Sequence, residues 1–379
     1  MRILIAGDFC PYNRVATMVA HKDYSFFDRV KDVIKEADYS IVNFECPVVE
    51  GDIKPLAKQG SALRTEREAV AAMKYAGFTC ATLANNHFRD FGDSGCLTTI
   101  EELEAQNIDY VGGGKSLAEA QKVLYKEIQG KKVAFVNFCE NEFSIATATT
   151  AGAAPLDSVD NYHQITEARR NADYVVVIVH GGHEHYQLPS PRMKKLYRFF
   201  VEIGADAVVN HHQHCYSGYE YYNGKPIVYG LGNFCFDWEG ARNMKWNDGY
   251  MLMLYFGESI SHIELIPYVQ CNDSASVEIL SKDLFENFNR TIDKLNAVIA
   301  NDIHLIKAFG DWIEKEKRHV ILSFSSWHNK YLNAAASRGW IPDLTTNKEY
   351  GAILNRICCE SHRDVSIAVL SEKLSQKEC

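Results

Sequence analysis

The stretch DAVVNHHQH at 206–214 sets His211, His212 and His214 directly behind small and branched apolar residues. Another imidazole, His180, ends the run YVVVIVH at 174–180. Carboxylates close two further apolar runs, Asp8 after RILIAG and Glu45 after YSIVNF. A fifth run, FTCATLANNH from Phe78, ends in Asn85, Asn86 and His87. Imidazole, carboxylate and amide groups together are a donor set for zinc, manganese or iron. Ions gathered unpaired at buried strand ends cost several kcal/mol each, and one or two divalent cations would offset that cost. Two cations about 3.5–4 Å apart can activate water and clamp a phosphoryl group.

Read singly, each group also has an ordinary account. Asp8 after Gly7 suits a turn cap, Glu45 before Cys46-Pro47 suits a strand-end ion pair, and Asn85-Asn86 suits a turn. His212 and His214 share one side only where the chain is extended. A histidine closing the valine and isoleucine run of 174–180 is harder to place at the surface. The common position of all these groups at run ends favours one shared site.

Such a site needs elements that bring the ends together. Strand-length apolar runs read at 2–8, 39–45, 78–86, 132–138, 174–180, 206–212 and 227–234, with a later pair at 249–256 and 262–270. Near-continuous apolar runs suit strands buried on both faces. Helix-length segments alternate with them at 25–37, 65–76, 95–106, 116–122, 161–171 and 190–203, and Pro191 suits the start of the last. The alternation predicts an α/β layered domain, whose ligands bind beyond the carboxyl ends of the strands. After Gln270 the composition shifts, and apolar residues from Leu284 to Ile306 recur at three- and four-residue steps. The reading is an α/β domain over 1–270 and a helical C-terminal region over 271–379, with 277–318 helical. Phe285, Phe288, Phe309, Trp312, Phe324, Trp327 and Trp340 would form a small core, a lid or a dimer surface there.

Composition narrows the function. The 379 residues carry a net charge of −9, with 46% apolar and 23% charged residues. That balance argues against a general electrostatic grip on nucleic acid. No stretch approaches the ~18 apolar residues of a membrane span. Only four apolar residues precede Gly7-Asp8, too short a run for a signal-peptide core, so the expectation is a cytoplasmic protein without membrane insertion. Eleven cysteines with no C-x-x-C pair suggest reduced thiols rather than a zinc cage. The run GGGKS at 112–116 is no phosphate loop, because Asp109 stands where its first glycine is required, so Gly112–Gly114 read as a turn.

The segments GDFCP (7–11), VNFECPV (42–48), LANNHFRDFG (83–92), VHGGHEHYQLPSP (179–191), GADAVVNHHQH (204–214) and GKPIVYGLGNFCF (224–236) carry a resemblance. Taken together and in this order, they resemble the CapA-type poly-γ-glutamate capsule-biosynthesis family, a branch of the calcineurin-like metallophosphoesterases. The resemblance spans about residues 1–256 and leaves the helical region uncovered. It implies a metallophosphoesterase-like β-sheet core flanked by helices, holding two divalent ions from among manganese, zinc and iron. By position it makes Asp8 a ligand of one metal and Glu45 the bridging carboxylate. Asn86 and His180 match ligands of the second metal, and His212 and His214 match the pair that serves one metal each. His87 matches the histidine that protonates a leaving group, with Asp90 orienting it. Asn85, Glu184, His211 and Asn233 would line the substrate pocket. Three departures stand out: Cys10 replaces the histidine of the wider D-x-H motif, Glu45 replaces an aspartate, and His211 replaces a glycine. Cys10 is either a thiolate ligand or a packed core residue.

The leading expectation is a metal-dependent hydrolase of phosphate esters, with His87 as general acid, acting in capsule or exopolysaccharide biosynthesis. Two alternatives stay open: hydrolysis or ligation of γ-glutamyl amides, and a non-catalytic accessory that binds metal or polymer. The expected partner is an anionic small molecule or polymer. The sequence leaves a homo-oligomer open.

Overall fold

The computed structural model describes residues 1–342 apart from 57, 59, 60, 258, 259 and 324–328, with backbone alone at 260, 261 and 316–323. Phe324, Trp327, Cys358, Cys359 and Cys379 lie outside the described residues. In chain order the strands are β1 (Arg2–Cys10), β2 (Tyr39–Phe44), β3 (Cys80–Thr82), β4 (Asp109–Val111), β5 (Gly113–Gly114), β6 (Leu124–Ile128), β7 (Lys131–Cys139) and β8 (Gly152–Ala153). They continue as β9 (Tyr174–His180), β10 (Ala207–His211), β11 (Tyr219–Tyr222), β12 (Lys225–Val228), β13 (Asn233–Phe236), β14 (Asp248–Phe256), β15 (Ile260–Gln270) and β16 (Val277–Ile279).

Among the described residues, one sheet runs β16-β15-β14-β1-β2-β3-β4, with β13 also paired to β1. A second sheet runs β11-β12-β10-β9-β7-β6. The strands that carry the chemistry are parallel: β1 to β2, β2 to β3, β7 to β9 and β9 to β10. Alternating side chains divide each strand between two cores. Ile3 and Ile5 of β1 join Val176 and Ile178 of β9 in one core between the sheets. Leu4 and Ala6 face the outer side of the first sheet, and Val175, Val177 and Val179 the outer side of the second. Helices cover those outer sides; Pro191–Glu202, capped by the Ser190 side chain on Met193 N, lays Met193, Tyr197 and Phe200 onto the second sheet. This is a mixed α/β fold, two sheets face to face and flanked by helices.

Several elements differ from the sequence expectation, each for a local reason. The run 227–234 is two strands in different sheets, because the turn through Gly232 (φ 79) redirects the chain from β12 to β13. Strand 78–86 shrinks to β3, which frees Leu83–His87 to turn. Segment 25–37 breaks into a short 3-10 turn at Ser25–Phe27 and a helix at Lys31–Lys35. Residues Val277–Ile279 form an edge strand, and the helix starts at Lys282. Gly112 does turn (φ 85), but Gly113–Gly114 pair with β8. Helix Asn13–Ala20 and the short strands β4, β6 and β11 lacked a strong apolar run to reveal them.

The first compact unit is Met1–Leu305, beyond the composition shift at 270. Helix Lys282–Ala300 belongs to it: Phe288 packs on Tyr216 at 5.3 Å between ring centres, and Asn296 accepts from Tyr219 N at 2.7 Å. In the second unit, Phe309 stacks on Trp312 at 5.8 Å and Trp340 is exposed. No described helix is long and apolar enough to cross a membrane.

Candidate metal centre

Parallel strands point their carboxyl ends one way, so β1, β2 and β3 of one sheet meet β9 and β10 of the other at a common rim. Asp8 is placed there by a close crossing. A Cβ on Gly7 would lie 1.9 Å from Gly232 O, so only glycine lets β13 run alongside β1 at this point. Asp8 N then donates to Gly232 O at 3.3 Å. At the end of β10 the chain leaves the extended region, with φ 89 at His212 and φ 54 at His214. Left-handed conformations at two non-glycine residues persist only where surroundings enforce them. The two rings reach the rim through this turn, not through the extended geometry expected from spacing.

One ligand atom each from Asp8, Glu45 and His214 lies within 4.8 Å of the others, and all three residues are buried. His214 Nδ1 lies 2.8 Å from Asn233 Oδ1, while its Nε2 lies 3.7 Å from Glu45 Oε1. The Asn233 amide nitrogen donates to His214 O and Trp246 O, so its oxygen is the acceptor for His214 Nδ1–H. A second group adjoins this one. His180 Nε2 lies 3.0 Å from Asn86 Oδ1, 3.1 Å from His212 Nδ1 and 3.9 Å from Glu45 Oε1. Asn43, a residue the sequence reading passed over, ties the two together, its Nδ2 lying 2.8 Å from Asp8 Oδ1 and 3.2 Å from His180 Nδ1. Its signal was a lone amide two places before Glu45 on the same strand face.

The residues fit a divalent cation. Both carboxylate oxygens of Glu45 are buried without a hydrogen-bond partner. Burial first, then the neighbouring Asp8, push the Glu45 carboxyl well above the usual range. Burial also pushes Asp8 up, against the pull of His214 and Asn43. Burial lowers His212 to about 3 and His214 to about 4, and lowers His180 too. Neutral imidazoles beside unpartnered carboxylates form a set of lone pairs that a cation would satisfy.

His87 and Asp90 flank the cluster. His87 Nδ1 lies 2.7 Å from Asp90 Oδ2, which also accepts from Leu63 N at 2.7 Å. Lys58, nearly buried, pairs with Asp90 Oδ1 and sits 3.1 Å from His87 Nδ1. Nothing in the sequence around Lys58 signalled this role. Asn85 is fully buried, donating to Phe44 O at 2.9 Å and accepting from His87 N at 3.1 Å, so its amide braces the turn. His211 is buried with Nδ1 3.6 Å from Asp8 Oδ1, and neither ring nitrogen is hydrogen-bonded. Glu184 is exposed, and its charge acts on Glu45 and Glu142. The His185 ring lies 6.3 Å from that of His214. Cys10 is buried, and burial together with Cys46 raises its thiol well above the usual range.

Fold and centre define an α/β protein with a buried carboxylate–imidazole cluster at the shared rim of two sheets. The family model for bacterial capsule synthesis protein PGA_cap matches residues 2–238, and the chain belongs to that family. It is 37% identical over 224 residues to the PGA biosynthesis protein CapA of Bacillus subtilis, covering 58% of this chain and 59% of that protein. It is 36% identical over 219 residues to the capsule biosynthesis protein CapA of Bacillus anthracis, covering 56% and 53%. The chain thus spans somewhat more than half the length of these relatives. Among solved structures it aligns with a novel phosphatase from Mycoplasma pneumoniae (TM-score 0.47, 14% identity, 72% of this chain and 95% of that one). It also aligns with a 5'-nucleotidase precursor from Thermus thermophilus (TM-score 0.42, 14% identity, 79% and 59%).

Proposed function

We propose that this protein is a metal-dependent hydrolase of phosphate esters, working within bacterial capsule or exopolysaccharide biosynthesis. The observation that carries the reading is Glu45, a buried carboxylate with both oxygens unpartnered between Asp8, His214 and His180. Asp8, Glu45 and His214 would hold one cation, and Asn86, His180 and His212 a second beside the shared Glu45. When bound, such ions activate water and neutralise charge on a phosphoryl group. The chain's own residues then do the rest. Asn43 fixes the Asp8 carboxylate, and Asn233 keeps the proton of His214 on Nδ1. Asp90 engages His87 at Nδ1, so Nε2 is the atom through which His87 passes a proton to a leaving oxygen. The left-handed backbone at His212 and His214 brings both rings to the rim, where they would stand ready for the cations.

The test is turnover of a chromogenic phosphate ester with added manganese or zinc. Wild type is expected to turn over, Glu45→Gln to lose activity with its metal, and His87→Ala to fall about 10²–10⁴-fold. Equal inertness of all three across metals refutes the reading. The resemblance to the poly-γ-glutamate capsule family favours a second reading, in which a γ-linked glutamyl amide is the bond cleaved or formed. Incubation with γ-glutamyl oligomers, with and without ATP, distinguishes it.

A further inference from the structure

The two halves of the centre are unequal in charge. Asp8 and Glu45 place two carboxylates at the His214 side. At the other side Asn86, His180 and His212 are neutral donors, with Glu45 as a shared anion. Neutral donors alone bind a dication weakly, and a second anion within reach would correct the imbalance. One is present: Glu142 Oε1, on the loop after β7, lies 3.9 Å from His212 Nε2, and its carboxylate also interacts with the Asn86 side chain.

The three imidazoles differ in which nitrogen carries the proton. For His214, Nδ1–H donates to Asn233 Oδ1 at 2.8 Å. His180 Nδ1 instead accepts from the Asn43 amide at 3.2 Å, which leaves its proton on Nε2, facing Asn86 Oδ1 at 3.0 Å. For His212 the inner Nδ1 lies 3.1 Å from His180, and the outer Nε2 faces Glu142. His214 Nδ1 also has the Asp8 carboxylate at 3.8 Å, whereas the carboxylate behind His212 is Glu142, at 3.9 Å and so within ion-pair rather than hydrogen-bond reach. Carboxylates behind ligating histidines orient the ring, keep its proton on the outer nitrogen and make the inner one more basic.

We propose that Glu142 is a positioning residue that decides whether the Asn86–His180–His212 side holds a cation. This rests on the metal-centre reading above and adds to it a residue outside the expected ligand set. Loss of such a group typically weakens metal binding about 10–100-fold.

The experiment is a calorimetric titration of metal-stripped full-length protein with Mn(II), with bound metal counted by elemental analysis. Wild type, Glu142→Gln, Glu142→Asp and Glu140→Gln are compared. Glu140 loses the same charge two positions away, where its carboxylate is engaged by Arg192. The expected result is two ions for wild type and for Glu140→Gln. Glu142→Gln keeps the tighter ion and loses or weakens the other at least 10-fold, with the thermal midpoint of the metal-free protein unchanged. Glu142→Asp, which keeps the charge, recovers part of the loss. Two-ion binding by Glu142→Gln at wild-type affinity overturns the proposal, and so does a wild type that takes one ion only. A wild type that takes no ion refutes the metal centre as well, which separates the two failures.

Discussion

His214 and Asn233 form one unit: the ring gives its Nδ1 proton to the amide oxygen at 2.8 Å and is left with an unprotonated Nε2 beside Glu45. Asn233 sits in β13 opposite Asp8 in β1, so one strand pairing sets both the ligand and the group that orients a second ligand. Removing that acceptor in Asn233→Ala should weaken Mn(II) binding about 10–100-fold. Asn233→Asp, which restores an acceptor, should bind much more tightly than the alanine variant. Identical dissociation constants for wild type and Asn233→Ala, with both folded by circular dichroism, would refute this role.

Gly7 permits that pairing. An added methyl would lie 1.9 Å from Gly232 O, a backbone atom that cannot step aside. Gly7→Ala should therefore destabilise the fold by several kcal/mol, roughly 2–4, through forced separation of β1 and β13. Urea unfolding reads this directly, and a loss under about 0.5 kcal/mol would show that the crossing has slack.

Cys10 occupies the place of a histidine in the wider motif, yet it is a fully buried free thiol that burial and the neighbouring Cys46 push well above the usual range. Cys10→Ala is expected to keep its metal content and to lose about 1 kcal/mol of stability as a small packing defect. Loss of one metal equivalent on elemental analysis would instead make the sulfur a ligand.

Acid should weaken the metal-free protein through its histidines. Folded His211 stays neutral down to about 3, whereas the unfolded ring takes up a proton near 6.5. Between those values the unfolded state binds more protons, so stability falls as pH drops, by up to about 1.4 kcal/mol per pH unit for one group. Glu45 acts in the opposite sense. Its folded carboxyl keeps its proton above the ordinary value of 4.5, so its contribution is lost as pH rises. His211→Gln should therefore flatten the stability profile of chelator-treated protein between pH 6.5 and pH 4. Parallel profiles for variant and wild type would show that His211 is charged when folded.

The sequence was most informative where apolar runs ended abruptly. RILIAGD and YVVVIVH each read as a buried strand delivering one polar group, and each does so, while YSIVNFE delivers Asn43 as well as the expected Glu45. It was least informative where tertiary contacts override local pattern. Nothing local marks Lys58 as a partner of Asp90, or Glu142 as a neighbour of His212, since both lie in polar loops and acquire their roles only when strands from elsewhere arrive. The division of 227–234 between two sheets was likewise hidden, because a glycine-rich apolar stretch looks the same whether it continues or turns. The H-x-H spacing suggested an extended chain, and left-handed backbone does the work instead.

The donors hang from separate halves of the sandwich, Asp8, Glu45 and Asn86 from one and His180, His212 and His214 from the other. An ion seated among them would rivet the halves together. Neither half could loosen without releasing it, so the escape of metal and the collapse of the whole domain should be a single cooperative event.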